Sequence, residues 1–155
     1  MSGIRVFVLA CVLGLGANSI HASMSVPLAT VEVMPAPLRI ATNADGIAAI
    51  VKRIGVAADI VVKNAQKPRP TITEVASSAS NLALIVASLD TAIKRDPSEA
   101  REHVDVLKRI AEDEYNLGLA ILGAVGMDDS NDGAAVLIEQ IGALAESIYD
   151  SASEY

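Results

Sequence analysis

The chain has 155 residues, a formal net charge of −7, 52% hydrophobic and 3% aromatic residues, and a single cysteine. Its acidity is concentrated at the C-terminal end, because the stretch from Glu112 to Tyr155 holds ten acidic residues and no basic one. Nucleic acids and anionic membranes are bound mainly through lysine and arginine, so this balance argues against both as partners. An acidic face in contact with solvent is the ordinary explanation of such a stretch, and a cation or a basic partner is the functional one.

The first 22 residues are typical of an export signal. Arg5 supplies the positive charge, an almost unbroken apolar run follows from Val6 to Ala17, and cleavage fits after Ser19 or Ala22. A run of about 12 residues is too short to cross a bilayer, so we expect a removable signal and no integral membrane insertion. The protein is predicted to be secreted, and periplasmic if its source is a bacterium.

The single cysteine, Cys11, leaves with the signal, so the mature chain has no thiol. The Val-Leu-Ala-Cys sequence resembles a lipoprotein box, but the apolar stretch between Arg5 and Cys11 is too short for that processing. Without disulfides the stability of the mature chain has to come from packing.

Residues 23–43 are predicted to form an extended segment, because Pro27, Pro35 and Pro37 exclude a continuous helix. Four helices are predicted in the domain that follows, over residues 44–155. Their apolar residues recur at alternating spacings of three and four.

The first two predicted helices have clear starts and apolar residues at regular spacings of three and four. Asn43 or Asp45 is expected to cap the first helix, and the Thr71-x-x-Glu74 capping box the second. The apolar faces consist of Ile47, Ile50, Ile54, Ala57 and Val61 in the first helix, and of Ile72, Val75, Ala79, Leu82, Val86, Leu89 and Ile93 in the second.

The third predicted helix starts at Asp96-Pro97-Ser98-Glu99, which places a capping carboxylate before a proline at the first helical position. Its apolar stripe is predicted to run to Val125, and the fourth helix is predicted to begin near Asp132. The apolar faces consist of Val104, Leu107, Ala111, Tyr115, Gly118, Leu122 and Val125 in the third helix, and of Ala134, Leu137, Ile141, Leu144 and Ile148 in the fourth.

Alternating spacings of three and four keep one seam of each helix turned toward a partner helix, and short connections make neighbours antiparallel. The sequence therefore predicts an all-α fold, namely an up-down-up-down four-helix bundle preceded by a signal peptide and a Pro-containing extended segment.

Two stretches are more apolar than an amphipathic helix requires, since residues 75–89 and 117–127 contain no charge. A helix that is apolar on all sides is either central in its fold or presents a second apolar surface. Either the extended segment or a second copy covers the excess, or the excess forms a binding site. The candidate residues for an apolar site or interface are Leu82, Leu84, Ile85, Val86, Leu89, Leu117, Leu119, Ile121, Leu122, Val125 and Met127.

The acidic stretch before the fourth helix matches the calcium loop of an EF-hand at several positions. That loop needs oxygen ligands at positions 1, 3 and 5, a glycine at 6 and a glutamate at 12. Ala135 replaces the large aliphatic residue at the eighth position, and the chain has no second loop of this kind. We therefore interpret the stretch first as a turn whose Asp132 caps the fourth helix, with calcium as the alternative. The candidate ligands are Asp128, Ser130, Asp132 and Glu139.

No catalytic pattern is present in the sequence. His103 is the only histidine after the signal, and no Gly-x-Ser-x-Gly elbow or glycine-rich phosphate loop occurs. The three carboxylates of residues 112–114 are expected to lie on a solvated face, because adjacent helical positions point in different directions. The protein is therefore expected not to be an enzyme, and no cofactor other than calcium is considered.

The sequence predicts a secreted, non-catalytic helical bundle that binds an apolar small molecule or a hydrophobic surface. The alternative is a secreted protein–protein interaction factor, such as an effector or structural protein, whose apolar excess contacts a partner or forms a homodimer.

Overall fold

The computed structural model describes residues 45–155, of which 80% are helical, with no strand among them. The predicted all-α class is confirmed. The predicted signal peptide and the extended segment 23–43 lie outside the described residues. The helices are α1 (Ile47–Ala65), α2 (Ile72–Arg95), α3 (Pro97–Glu102), α4 (Val104–Gly123) and α5 (Ala134–Ser153).

α2 is the central helix, because it contacts each of the other four helices. α1 packs against α2 and α5, and α4 packs mainly against α5. By length and composition alone α2 is apolar enough to cross a membrane. Packing explains this apolar composition without a membrane, because a helix with neighbours on several sides needs apolar residues on several faces.

Long-range hydrogen bonds connect the helices at both ends of the domain. At one end the backbone N–H of Ile72 donates to Oδ1 of Asp129 at 2.7 Å, so the loop before α5 caps the start of α2. At the other end Oε1 of Glu99 accepts from the backbone N–H of Ala48 at 3.2 Å and from the hydroxyl of Tyr155 at 2.8 Å. The short helix α3 therefore joins the start of α1 to the end of α5.

The predicted starts of the second and third helices are confirmed. Oγ1 of Thr71 accepts from the backbone N–H of Glu74 at 3.3 Å. Oδ1 of Asp96 accepts from the backbone N–H of Glu99 at 3.1 Å, with Pro97 at the first helical position. Local sequence was sufficient for these two helix starts.

The predicted cap of the first helix is wrong at Asp45. Gly46 is the N-cap residue of α1 and makes no side-chain capping bond. The carboxylate of Asp45 instead forms an ion pair with Arg53, with 2.9 Å between Oδ2 and Nη1. The other predicted cap, Asn43, lies outside the described residues.

The predicted apolar faces of α1 and α2 are confirmed, apart from Ile93, which is half-buried. In the third predicted helix the prediction is wrong in two ways. The helix is divided at His103, and most of the buried face lies one residue earlier than predicted, although Leu107 and Gly118 are buried as predicted. Val104, Tyr115 and Val125 are 41%, 49% and 57% exposed, respectively. The face that is buried consists of Leu107, Ile110, Glu114, Leu117, Gly118, Ala120 and Ile121.

α1 and α5 approach each other closely where small residues meet. A Cβ atom added to Gly142 would lie 2.9 Å from Cβ of Ala65, which is closer than two carbon atoms normally pack. A Cβ atom added to Gly55 would lie 3.7 Å from Cβ of Ala152, an ordinary contact distance. The close approach of the two helices therefore requires glycine at position 142, whereas position 55 has room for the Cβ atom of an alanine.

We expect Gly142→Ala to destabilise the protein by about 1 kcal/mol, because overpacking costs about 1–3 kcal/mol and the gain in helix propensity offsets about 1 kcal/mol of it. Gly55→Ala is the matched control and should gain up to about 1 kcal/mol, since it improves the helix without a clash. Urea unfolding of both variants measures the difference. Equal stabilisation by the two substitutions would show that the helices are farther apart than described.

Candidate functional site

A groove runs along the outer seam between α1 and α5. It contains two hollows, of about 620 Å³ near the C-terminal end of α1 and about 490 Å³ nearer its N-terminal end. The lining residues of both hollows recur at spacings of three and four, so they lie on one face of each helix. We call this feature the α1–α5 groove; its two facing rows are Gly55, Asp59, Val62 and Gln66 from α1, and Glu139, Gly142, Glu146, Tyr149 and Ser153 from α5.

The floor of the larger hollow is apolar and is made mostly of small side chains. The close approach at Gly142 is part of this floor, so the packing that joins α1 to α5 also shapes the groove. The apolar and small residues that line it are Val62, Ala65, Pro70, Ala134, Ala135, Ile138, Gly142 and Ala143.

The rim of the larger hollow is acidic, with the carboxylates of Asp129, Glu139 and Glu146. Asp129 is occupied by its hydrogen bond from Ile72. Within residues 45–155 neither Glu139 nor Glu146 forms an ion pair. The rim therefore presents two negative charges that are not compensated by neighbouring side chains of this region.

Most of the predicted apolar site residues lie in the core, and none of them lines the groove. Leu84, Leu122 and Met127 are half-buried, while Leu119 and Val125 are exposed. The uncharged stretch of α2 therefore mainly serves the packing of a central helix. The six candidates that are buried are Leu82, Ile85, Val86, Leu89, Leu117 and Ile121.

The acidic loop before α5 is a hydrogen-bonded turn. Oδ1 of Asp128 accepts a hydrogen bond from the hydroxyl of Ser130 and another, at 2.9 Å, from the backbone N–H of Ser130. These two hydrogen bonds hold the pKa of Asp128 below its ordinary value. Oδ1 of Asn131 accepts from the backbone N–H of Gly133 at 2.9 Å. Gly133 is the N-cap residue of α5 and has no side-chain capping bond, so the predicted cap at Asp132 is wrong.

Among residues 45–155 no three His, Cys, Asp or Glu side chains are grouped so that they could hold a metal ion. Glu139, the candidate bidentate ligand, lies on α5 at the rim of the groove. Binding of calcium by Asp128, Ser130, Asp132 and Glu139 stays a prediction.

Glu114 is a carboxylic acid in the core, only 2% exposed. Its Oε1 has no hydrogen-bond partner in the described part of the chain, and burial raises the pKa of Glu114 from 4.5 to about 7. The prediction that residues 112–114 form a solvated face is therefore wrong for this residue. A perturbed pKa is frequent at functional sites, but Glu114 does not line either hollow of the groove.

The α1–α5 groove thus offers an apolar floor, a carboxylate rim and a phenol at Tyr149, and these groups are suited to binding. Sequence analysis missed the groove because alanine and glycine give only a weak hydrophobic signal, and because its walls come from helices far apart in the chain. Comparisons with protein-family models, with curated proteins and with solved structures gave no match.

Proposed function

We propose that the protein is an exported, non-catalytic binding protein, built as an up-down-up-down four-helix bundle, that binds an apolar ligand or a hydrophobic surface in the α1–α5 groove. The observation that carries this proposal is the larger hollow of about 620 Å³ with its floor of small apolar side chains. Its volume lies within the range of about 300–1,000 Å³ that is usual for small-molecule sites.

Further observations support the other parts of the proposal. α1, α2, α4 and α5 are each 19 to 24 residues long. The hydrogen bonds at the two ends of the domain fit helices that alternate in direction. Export is supported by the charged start and apolar run of residues 1–22.

A second candidate function is a protein–protein or homodimer interface on α4. Tyr115 and Leu119 lie one helical turn apart, and each is 49% exposed. Val125, just beyond the end of α4, is 57% exposed. Tyr115 and Leu119 present apolar side chains on a different helix from the groove, so the two candidates can be tested separately.

The proposal predicts saturable binding of an uncharged apolar fluorescent probe, at about one probe per chain, by protein that remains monomeric. Ala143→Trp should weaken probe binding by about tenfold or more, because its indole ring would occupy the larger hollow. Ala49→Trp is the matched control, since Ala49 is also an exposed helical alanine but does not line the groove, and it should bind normally.

Analytical ultracentrifugation of the same samples distinguishes the second candidate. The α4 interface would be favoured over the groove if the mass rises with protein concentration while no probe binds. In that case Leu119→Glu should return the mass to the monomer value. Monomeric protein that binds no probe would contradict both candidates.

A further inference from the structure

The length of the α1–α5 groove exceeds the size of either hollow. On α5 its lining extends from Ala134 to Ser153, which corresponds to about 29 Å at 1.5 Å per residue. An occupant that fills the whole groove is therefore as long as an α-helix of about 19 residues. A single small apolar molecule would fill only one of the hollows.

The uncompensated negative charge of the groove is concentrated on the α5 side. Glu139 and Glu146 are seven residues apart, which places them on the same side of α5 at a separation of about 10 Å, or two helical turns. α5 carries no basic residue. On the α1 side Lys52, Asp59 and Lys63 line the smaller hollow, and Nζ of Lys63 lies 2.6 Å from Oδ2 of Asp59, so this side carries a net positive charge.

We propose that the α1–α5 groove binds an amphipathic α-helix of a partner protein, with its apolar face on the small side chains of the floor and two lysine or arginine residues, seven positions apart, against Glu139 and Glu146. This rests on the proposed function, because it uses the same groove. The repeat of the two carboxylates matches the repeat of residues on one side of a helix, and docking of an amphipathic helix in an apolar groove is a common mode of recognition.

The charge of the groove disfavours two other occupants. A second copy of this chain that brought its own α5 into the groove would place carboxylates against carboxylates, and like charges at an interface are unfavourable. An anionic lipid surface would be repelled by the same two glutamates.

The test uses purified protein expressed from the full coding sequence and two synthetic helical peptides of about 19 residues. The first peptide contains leucine and alanine on one face and two lysines seven positions apart, and the second has glutamates in place of both lysines. We expect the lysine peptide to bind once per chain, and the glutamate peptide to bind about tenfold or more weakly, in isothermal titration calorimetry.

The variant Glu139→Gln/Glu146→Gln should weaken binding of the lysine peptide about tenfold and reduce its dependence on salt. Glu102→Gln/Glu112→Gln is the matched control, because both glutamates are exposed and lie outside the groove. Their substitution removes the same amount of charge. It should change the affinity less than about twofold. Circular dichroism of all variants checks that they are folded.

Equal binding of the two peptides, or an unchanged affinity in Glu139→Gln/Glu146→Gln, overturns the inference. Absence of peptide binding while the apolar probe still saturates the groove also overturns it and leaves the proposed function in place. If neither the probe nor the peptide binds, the proposed function fails as well.

Discussion

Replacing Glu114 with glutamine is expected to remove a pH-dependent loss of stability of up to about 3 kcal/mol. Glu114 is 2% exposed and its Oε1 has no hydrogen-bond partner among the described residues, so ionisation places an uncompensated negative charge in the apolar core. The physical cause is burial, which raises the pKa of Glu114 to about 7 in the folded state from an ordinary value of 4.5.

The direction of the pH dependence follows from where the proton is held. Between pH 4.5 and about 7 the folded protein keeps the proton of Glu114, whereas the unfolded chain has lost it. Raising the pH through this window therefore lowers the free energy of unfolding. The destabilisation is absent below pH 4.5 and fully present above about pH 7.

Urea unfolding of the parent protein and of Glu114→Gln, at several pH values across this window, measures the effect. The two free energies of unfolding should converge toward the acidic end, and the variant should be the more stable protein at the alkaline end. Glu112→Gln is the control, because Glu112 is an exposed glutamate two residues away on the same helix. Profiles that run parallel in the parent and in Glu114→Gln would mean that residue 114 is solvated.

Replacing Leu82 with alanine is expected to destabilise the protein by about 2–5 kcal/mol. Leu82 is 0% exposed and lies in the middle of α2, which contacts every other described helix, so the cavity cannot easily be filled by movement of one neighbour. Leu119→Ala removes the same atoms from a side chain that is 49% exposed, and should cost less than about 1 kcal/mol. Chemical denaturation of both variants gives the comparison. Similar losses in both would show that α2 is not the centre of the core.

Local features of the fold could be predicted from the sequence, and the phase of α4 shows the limit of that approach. Prolines, capping residues and regular apolar spacing correctly placed the caps of α2 and α3 and the buried faces of α1 and α2. In α4 the same rule was wrong, because a charged residue, Glu114, occupies a core position. A search for regularly spaced apolar residues excludes carboxylates, and it therefore assigned Tyr115, the residue after Glu114, to the buried face.

The candidate site could not be predicted from the sequence, because it depends on which helices become neighbours. Gly142, Ala143 and Ala65 have no distinctive signal in a single sequence, and they form the floor of a groove only when α1 and α5 pack together. The acidic character of the C-terminal stretch was visible in the sequence. The sequence did not indicate which of these carboxylates would lie together at the edge of an apolar surface.

The pairing of α1 with α5 has a consequence for how the domain folds. These are the first and last helices of the described region, and Gly142 packs against Ala65 across three intervening helices in the chain. Contacts between distant segments require closure of a long loop and slow the folding reaction. During synthesis the apolar residues of α1 that face α5 remain uncovered until α5 has been made, and uncovered apolar surface promotes aggregation. Folding of this domain is therefore expected to follow the completion of its last helix.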